Sequence, residues 1–110
     1  MVDRYELQVI EGCPNTDRAM ELFRRILAEE GQNAPVRLRV LTSDTEASEL
    51  GFRGSPSFVE NGRDLFPSDV QPALSCRVYL SANGMKGLPS PEVLRQALRA
   101  GLNPGTPTGR

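Results

Sequence analysis

The feature that most constrains this chain is a strand–helix–strand alternation in its first 41 residues. Tyr5-Glu6-Leu7-Gln8-Val9-Ile10 alternates and is rich in β-formers, and Val36-Arg37-Leu38-Arg39-Val40-Leu41 alternates apolar with basic residues. Between them, residues 15–30 carry Ala19, Met20, Phe23, Ile26 and Leu27 at helical spacing. Asp17 in the first turn suits the positive end of the helix dipole, and Gly31 supplies a C-terminal stop. Two short strands joined through a helix predict a right-handed crossover and parallel pairing.

The remaining segments extend that frame. Ser43-Asp44-Thr45-Glu46 matches a capping box, with Ser43 as N-cap and Glu46 reaching back, and opens a short helix that ends near Gly51. Phe52 is expected to fold back onto the core. Residues 57–60 read as a third strand closed by the turn signal Asn61-Gly62, and a polar, proline-containing stretch leads to Ser75. Residues 76–80 read as a fourth strand, closed by Ala82-Asn83-Gly84. Ser90-Pro91-Glu92 starts a last helix with Leu94, Ala97 and Leu98 on its apolar face and Gly101 at its end.

The order is therefore β-α-β-α-β-β-α. It predicts an α/β domain over residues 1–102, with three parallel strands, the fourth antiparallel to the third, and helices on both faces of a mixed sheet. Residues 103–110 form a tail without apolar content, expected to be disordered.

Composition removes several classes of function. The net charge is −1, from 13 basic and 14 acidic residues spread along the chain, so neither nucleic acid nor an anionic membrane is an expected partner. Lys86 is the sole lysine among the basic residues, a bias that fits a bacterial source. No run approaches the roughly 20 apolar residues that span a bilayer. The N-terminus enters a strand directly, without a signal-peptide core, which leads to an expected cytoplasmic location with reduced thiols. There is no histidine, so Cys–His dyads, Ser–His–Asp triads and His-containing zinc sites are excluded. Two cysteines are too few for a zinc site built mainly on thiolates, and no cofactor is expected. Chemistry is left to thiols, carboxylates, hydroxyls and backbone dipoles.

Cys13 is best placed for it. It stands in Gly12-Cys13-Pro14-Asn15-Thr16, between the first strand and the first helix, with Pro14 suited to the first helical position. Unpaired N–H groups and the positive dipole end at a helix start favour a thiolate over a thiol, while Glu11 next door opposes it.

The element order, the cysteine and proline opening the first helix, and Gly54-Ser55-Pro56 before the third strand together resemble the thioredoxin superfamily. Within it, residues 12–15, 50–56 and 74–79 look like a group of small bacterial thioredoxin-like proteins, some labelled as related to alkylmercury lyase. The resemblance covers roughly residues 4 to 101. It implies that Pro56 is cis and lies beside Cys13, and that the backbone of Ser55 pairs with extended thiol substrates. Pro14, Ser55 and Pro56 would then form the substrate-docking surface.

One position departs from the superfamily's dithiol pattern. The second cysteine, three places after the first, is here Thr16, as in monothiol variants. Thr16 could donate a hydrogen bond to the Cys13 thiolate but could not resolve a mixed disulfide. Cys76 is the sole internal candidate for that role, and pairing with Cys13 requires Cα atoms within about 7 Å. As one residue of an alternating strand, Cys76 reads more readily as a buried hydrophobe. Arg53 and Arg77 read as solvated surface residues, Tyr79 as packing.

The expected function is thiol–disulfide exchange through Cys13, with Thr16 stabilising and Cys76 or an external thiol resolving. The expected partner is a thiol or disulfide, protein or low-molecular-weight, met by a monomer. Two other readings stay open: a redox-silent binding module using the groove around Pro56, and thiophilic metal binding by Cys13 and Cys76.

Overall fold

A computed structural model of the chain describes residues 4–68, 70–81 and 84–102. The elements are β1 (Tyr5–Ile10), α1 (Thr16–Glu29), β2 (Val36–Leu41), α2 (Asp44–Leu50), β3 (Ser57–Glu60), β4 (Arg63–Asp64), β5 (Tyr79–Ser81), β6 (Gly84–Lys86) and α3 (Pro91–Leu102). Four strands form one mixed sheet in the order β2-β1-β3-β4, while β5 and β6 pair separately. The turn at residues 82–83 and the tail at residues 103–110 lie outside the described residues.

The opening crossover is parallel, with Tyr5 opposite Val36 and Ile10 opposite Leu41. The third strand is not parallel to it. β3 runs antiparallel to β1, with Gln8 opposite Ser57 and Tyr5 opposite Glu60. The cause is the length of α2. Its 7 residues rise about 10 Å, too little to return the chain along a six-residue strand of about 20 Å. The chain therefore re-enters the sheet at the end where β2 left it and runs downward.

The expected fourth strand is also different. β3 is continued by the hairpin to β4, whose turn residues Asn61 and Gly62 both have positive φ (52° and 81°), the geometry of a two-residue primed turn. The run at residues 76–80 becomes strand only from Tyr79, which pairs with Lys86 of β6 rather than with β3.

Helix ends follow their local chemistry. In α1, Gln32 N–H donates to Leu27 O and Gly31 N–H to Ala28 O, with Gly31 at φ 78°. This is the Schellman arrangement. Gly51 and Phe52 close α2 the same way onto Ser48 and Ala47, which turns Phe52 inward. Ser43 Oγ caps α2 by accepting from Glu46 N–H, and Glu46 Oε1 reaches back to Thr42 N–H. Ser90 Oγ caps α3 through Val93 N–H, and α3 runs one residue past Gly101.

Strand alternation divides the core. Tyr5, Leu7 and Val9 on one face pack with Phe23, Ile26 and Leu27 of α1, Leu94 and Leu98 of α3, and Phe58. Ile10, on the other face, packs with Leu41, Ala47 of α2 and Phe52. Each fully buried large side chain contributes about 1.5–3 kcal/mol. An aromatic chain, Tyr5–Phe23–Phe58–Tyr79 with Phe66 against the last two, links the core to the β5 segment through edge-to-face contacts at 5.1–6.1 Å. Among the described residues, no helix is long and apolar enough to cross a membrane.

Candidate functional site

Cys13 sits half-buried against the larger core cluster, in the turn between β1 and α1 that Gly12 opens at φ 77°. Its N–H donates to Ile10 O at 3.2 Å. Helix α1 begins later than expected, at Thr16 with Asn15 as N-cap, so exposed Pro14 precedes the helix and does not occupy its first position. Thr16 Oγ1 donates to Cys13 O at 3.1 Å, and Thr16 N–H points to the same carbonyl at 3.4 Å. A hydroxyl has one proton to give, so Thr16 supports the turn's backbone rather than the Cys13 sulfur.

The second part of the site is held to the end of the same strand. Ile10 N–H donates to Ser55 Oγ at 3.1 Å, so the two peptide groups of Ile10 tie Cys13 and Ser55 to one residue. The Ser55–Pro56 peptide bond is cis, and both residues are buried. Ser57 Oγ closes the bend by donating to Gly54 O at 2.6 Å.

A third segment, residues 75–79, lies directly on this bend. Ser55 N–H donates to Ser75 O at 2.8 Å, Arg77 N–H donates to Ser55 O at 3.0 Å, and Ser55 and Cys76 form an isolated parallel bridge. Tyr79 OH donates to Pro56 O. Side chains at 77 and 79 turn inward, whereas Cys76 and Val78 are exposed. Cys76 is thus not a core hydrophobe. Arg77 is not a surface residue either, its side chain being 9% exposed. It donates to Asp64 Oδ2 at 2.7 Å, to Ser57 Oγ at 3.3 Å and to Phe66 O, and lies 4.8 Å over the Tyr79 ring. Arg53 donates to Val70 O and borders, with Phe66, Val70, Cys76, Val78 and Tyr79, a cleft of about 390 Å³.

The two cysteines are both free thiols. Each is linked to Ser55, Cys13 through Ile10 and Cys76 through the bridge. Cys76 lines the cleft and Cys13 does not. Among the described residues no group of three His, Cys, Asp or Glu side chains converges, so two-thiolate metal binding gains no third protein ligand. Sequence reasoning missed the roles of Gly54, Asp64, Arg77 and Tyr79. Their signal was weak: the inward pair at 77 and 79 alternates with two apolar residues that face outward.

Tyr79 gives the site a pH signature. Burial pushes its phenol far above the ordinary value; Arg77 opposes this, while Asp64 and Cys13 reinforce it. Burial, with Glu60 beside it, also raises Tyr5. A group with a raised folded-state value stabilises fully below its unfolded value, and that stability is lost as pH rises above it. Stability to urea should therefore hold up to about pH 9.5 and fall above pH 10 by about 1.4 kcal/mol per pH unit for each phenol still protonated. Tyr79→Phe should remove a large part of that slope. An unchanged slope in the variant would show that Tyr79 ionises normally.

Comparison of the chain with protein-family models, curated proteins and solved structures returns no match.

Proposed function

We propose that this chain is a thioredoxin-like thiol–disulfide exchange protein that acts through Cys13. The observation that supports the reading is the joint anchoring on Ile10 of the turn that carries Cys13, a free thiol, and of the buried Ser55–Pro56 bend. The strand order β2-β1-β3-β4 and helices packed on both faces support it.

The chemistry is two displacements. Cys13 as thiolate attacks one sulfur of a disulfide, forms a mixed disulfide and releases the other half as a thiolate that takes a proton from solvent. A second thiolate then attacks the Cys13 sulfur and releases the bound half as a thiol. If that thiolate is Cys76, the protein ends oxidised by two electrons and the substrate reduced by two. A low-molecular-weight thiolate instead attacks the sulfur of the bound half, so that Cys13 leaves as the regenerated thiolate and the new disulfide departs in solution. Thr16 contributes by holding the Cys13 carbonyl and so the shape of the turn.

The test is the rate at which each cysteine reacts with a small disulfide at pH 7, followed by mass spectrometry. Cys13 should react about tenfold faster than Cys76, and Cys13→Ser should remove that fast reaction while Cys76→Ser retains the first step. Reaction confined to Cys76 would overturn the reading and leave the fold with a binding role.

A further inference from the structure

An extended polypeptide docks on a protein edge by pairing its backbone with open N–H and C=O groups. At the bend beside Cys13, those groups are Ser55 N–H and Ser55 C=O, and neither is open. The first is bonded to Ser75 O and the second to Arg77 N–H. The side chain of Ser55 is also engaged, by Ile10 N–H, and the Pro56 carbonyl is held by Tyr79 OH. Residues 75–77 therefore already lie on the platform in extended, strand-like register.

Two features show a segment built to stay there. Gly54, at φ 127°, leaves room for Arg77 Cβ, which would stand 2.7 Å from a Cβ added at that position. Arg77 itself is pinned by Asp64, Ser57 and Phe66. The segment acts as a strap over the edge, tied at both ends.

Resting on the exchange reading above, we propose that this strap sets the substrate class: Cys13 takes compact disulfides and turns away extended polypeptides. A small disulfide needs only the sulfur of Cys13. A polypeptide that seeks backbone pairing at Ser55 must first lift residues 75–77, and its apparent reactivity falls by the fraction of time the strap is open.

The experiment uses the full chain carrying Cys76→Ser, so that Cys13 is the only thiol. Two probes release the same 2-nitro-5-thiobenzoate anion: 5,5′-dithiobis(2-nitrobenzoate), and an unstructured ten-residue peptide whose single cysteine carries that group. Each rate is divided by the rate of the same probe with glutathione. The normalised peptide rate should be lower by about tenfold or more, corresponding to a strap open about a tenth of the time or less. Tyr79→Phe, which removes the tie to Pro56, should narrow the gap severalfold. Amide hydrogen exchange on the unmutated chain reads the strap directly: Ser55 and Arg77 N–H should be protected. Equal normalised rates, a gap that Tyr79→Phe leaves untouched, or an unprotected Arg77 amide would each overturn the strap. Absence of anion release with both probes would overturn the exchange reading itself.

Discussion

Replacing Arg77 with methionine will lower stability by about 3 kcal/mol, clearly more than the same change at Arg95. The two arginines look alike in the sequence and each engages carboxylates. Arg95 joins Glu29, Glu30 and Glu92 between α1 and α3; Glu29 and Glu92 are 45% and 65% exposed, so solvent screens those two pairs, and with three carboxylates around it no single one depends on it alone. Arg77 is nearly buried, and so is much of its partner: Asp64 is 19% exposed, with its other oxygen accepting from Phe66 N–H at 2.8 Å.

Methionine keeps most of the arginine's apolar volume but leaves the Asp64 carboxylate without its cation and the Phe66 carbonyl without its donor. Breaking a buried pair from one side costs about 3–5 kcal/mol, and the residual exposure of Asp64 places the expectation at the lower end. Loss of the cation over the Tyr79 ring adds to it. Urea unfolding of R77M, D64N and the double variant measures the coupling. If R77M unfolds within about 1 kcal/mol of the parent, the pair is a surface feature and the strap has lost its main anchor.

The same residue shows what the sequence made legible. Where one element decides its own shape, the residues said so. Ser43 and Glu46 capped α2, Gly31 and Gly51 ended their helices, and Asn61-Gly62 made a tight turn, because each depends on neighbours two to four positions away. The face of α1 was readable for the same reason. The direction of β3 was not, since it depends on whether α2 can span the sheet, and one turn of helix decides that.

The run at residues 76–80 misled for a physical reason. Its alternation of Cys76, Val78 and Leu80 with Arg77 and Tyr79 fits either face inward. Burial goes to Arg77 and Tyr79, because Asp64 neutralises the guanidinium and the Pro56 carbonyl accepts a hydrogen bond from the phenol O–H. Both partners come from other elements. Cys13 stood out from its local context at the start of the first helix, whereas Ser55 was singled out through the resemblance alone. That the backbone of Ser55 is already occupied by the chain's own residues 75–77 is a fact of tertiary pairing, and no local pattern announces it.

Gly54 offers the cleanest test of that pairing. Gly54→Ala should destabilise by about 3 kcal/mol, and Gly31→Ala by about 1 kcal/mol, although both glycines have positive φ. At Gly31 a methyl group would meet nothing within 4 Å, so the penalty is the left-handed backbone alone. At Gly54, φ is 127°, outside the small left-handed well that other residues tolerate, and the methyl would stand 2.7 Å from Arg77 Cβ and 3.3 Å from Arg77 Cα. The backbone penalty and the clash therefore add, and the clash falls on the strap. Relief requires residues 75–77 to move off Ser55, so the variant should lose protection at the Arg77 amide before it loses its core. If Gly54→Ala proves no worse than Gly31→Ala and Arg77 N–H stays protected, the close crossing at Gly54 does not hold the strap down. The selectivity argued for Cys13 would then have to rest on Tyr79 and Arg77 alone.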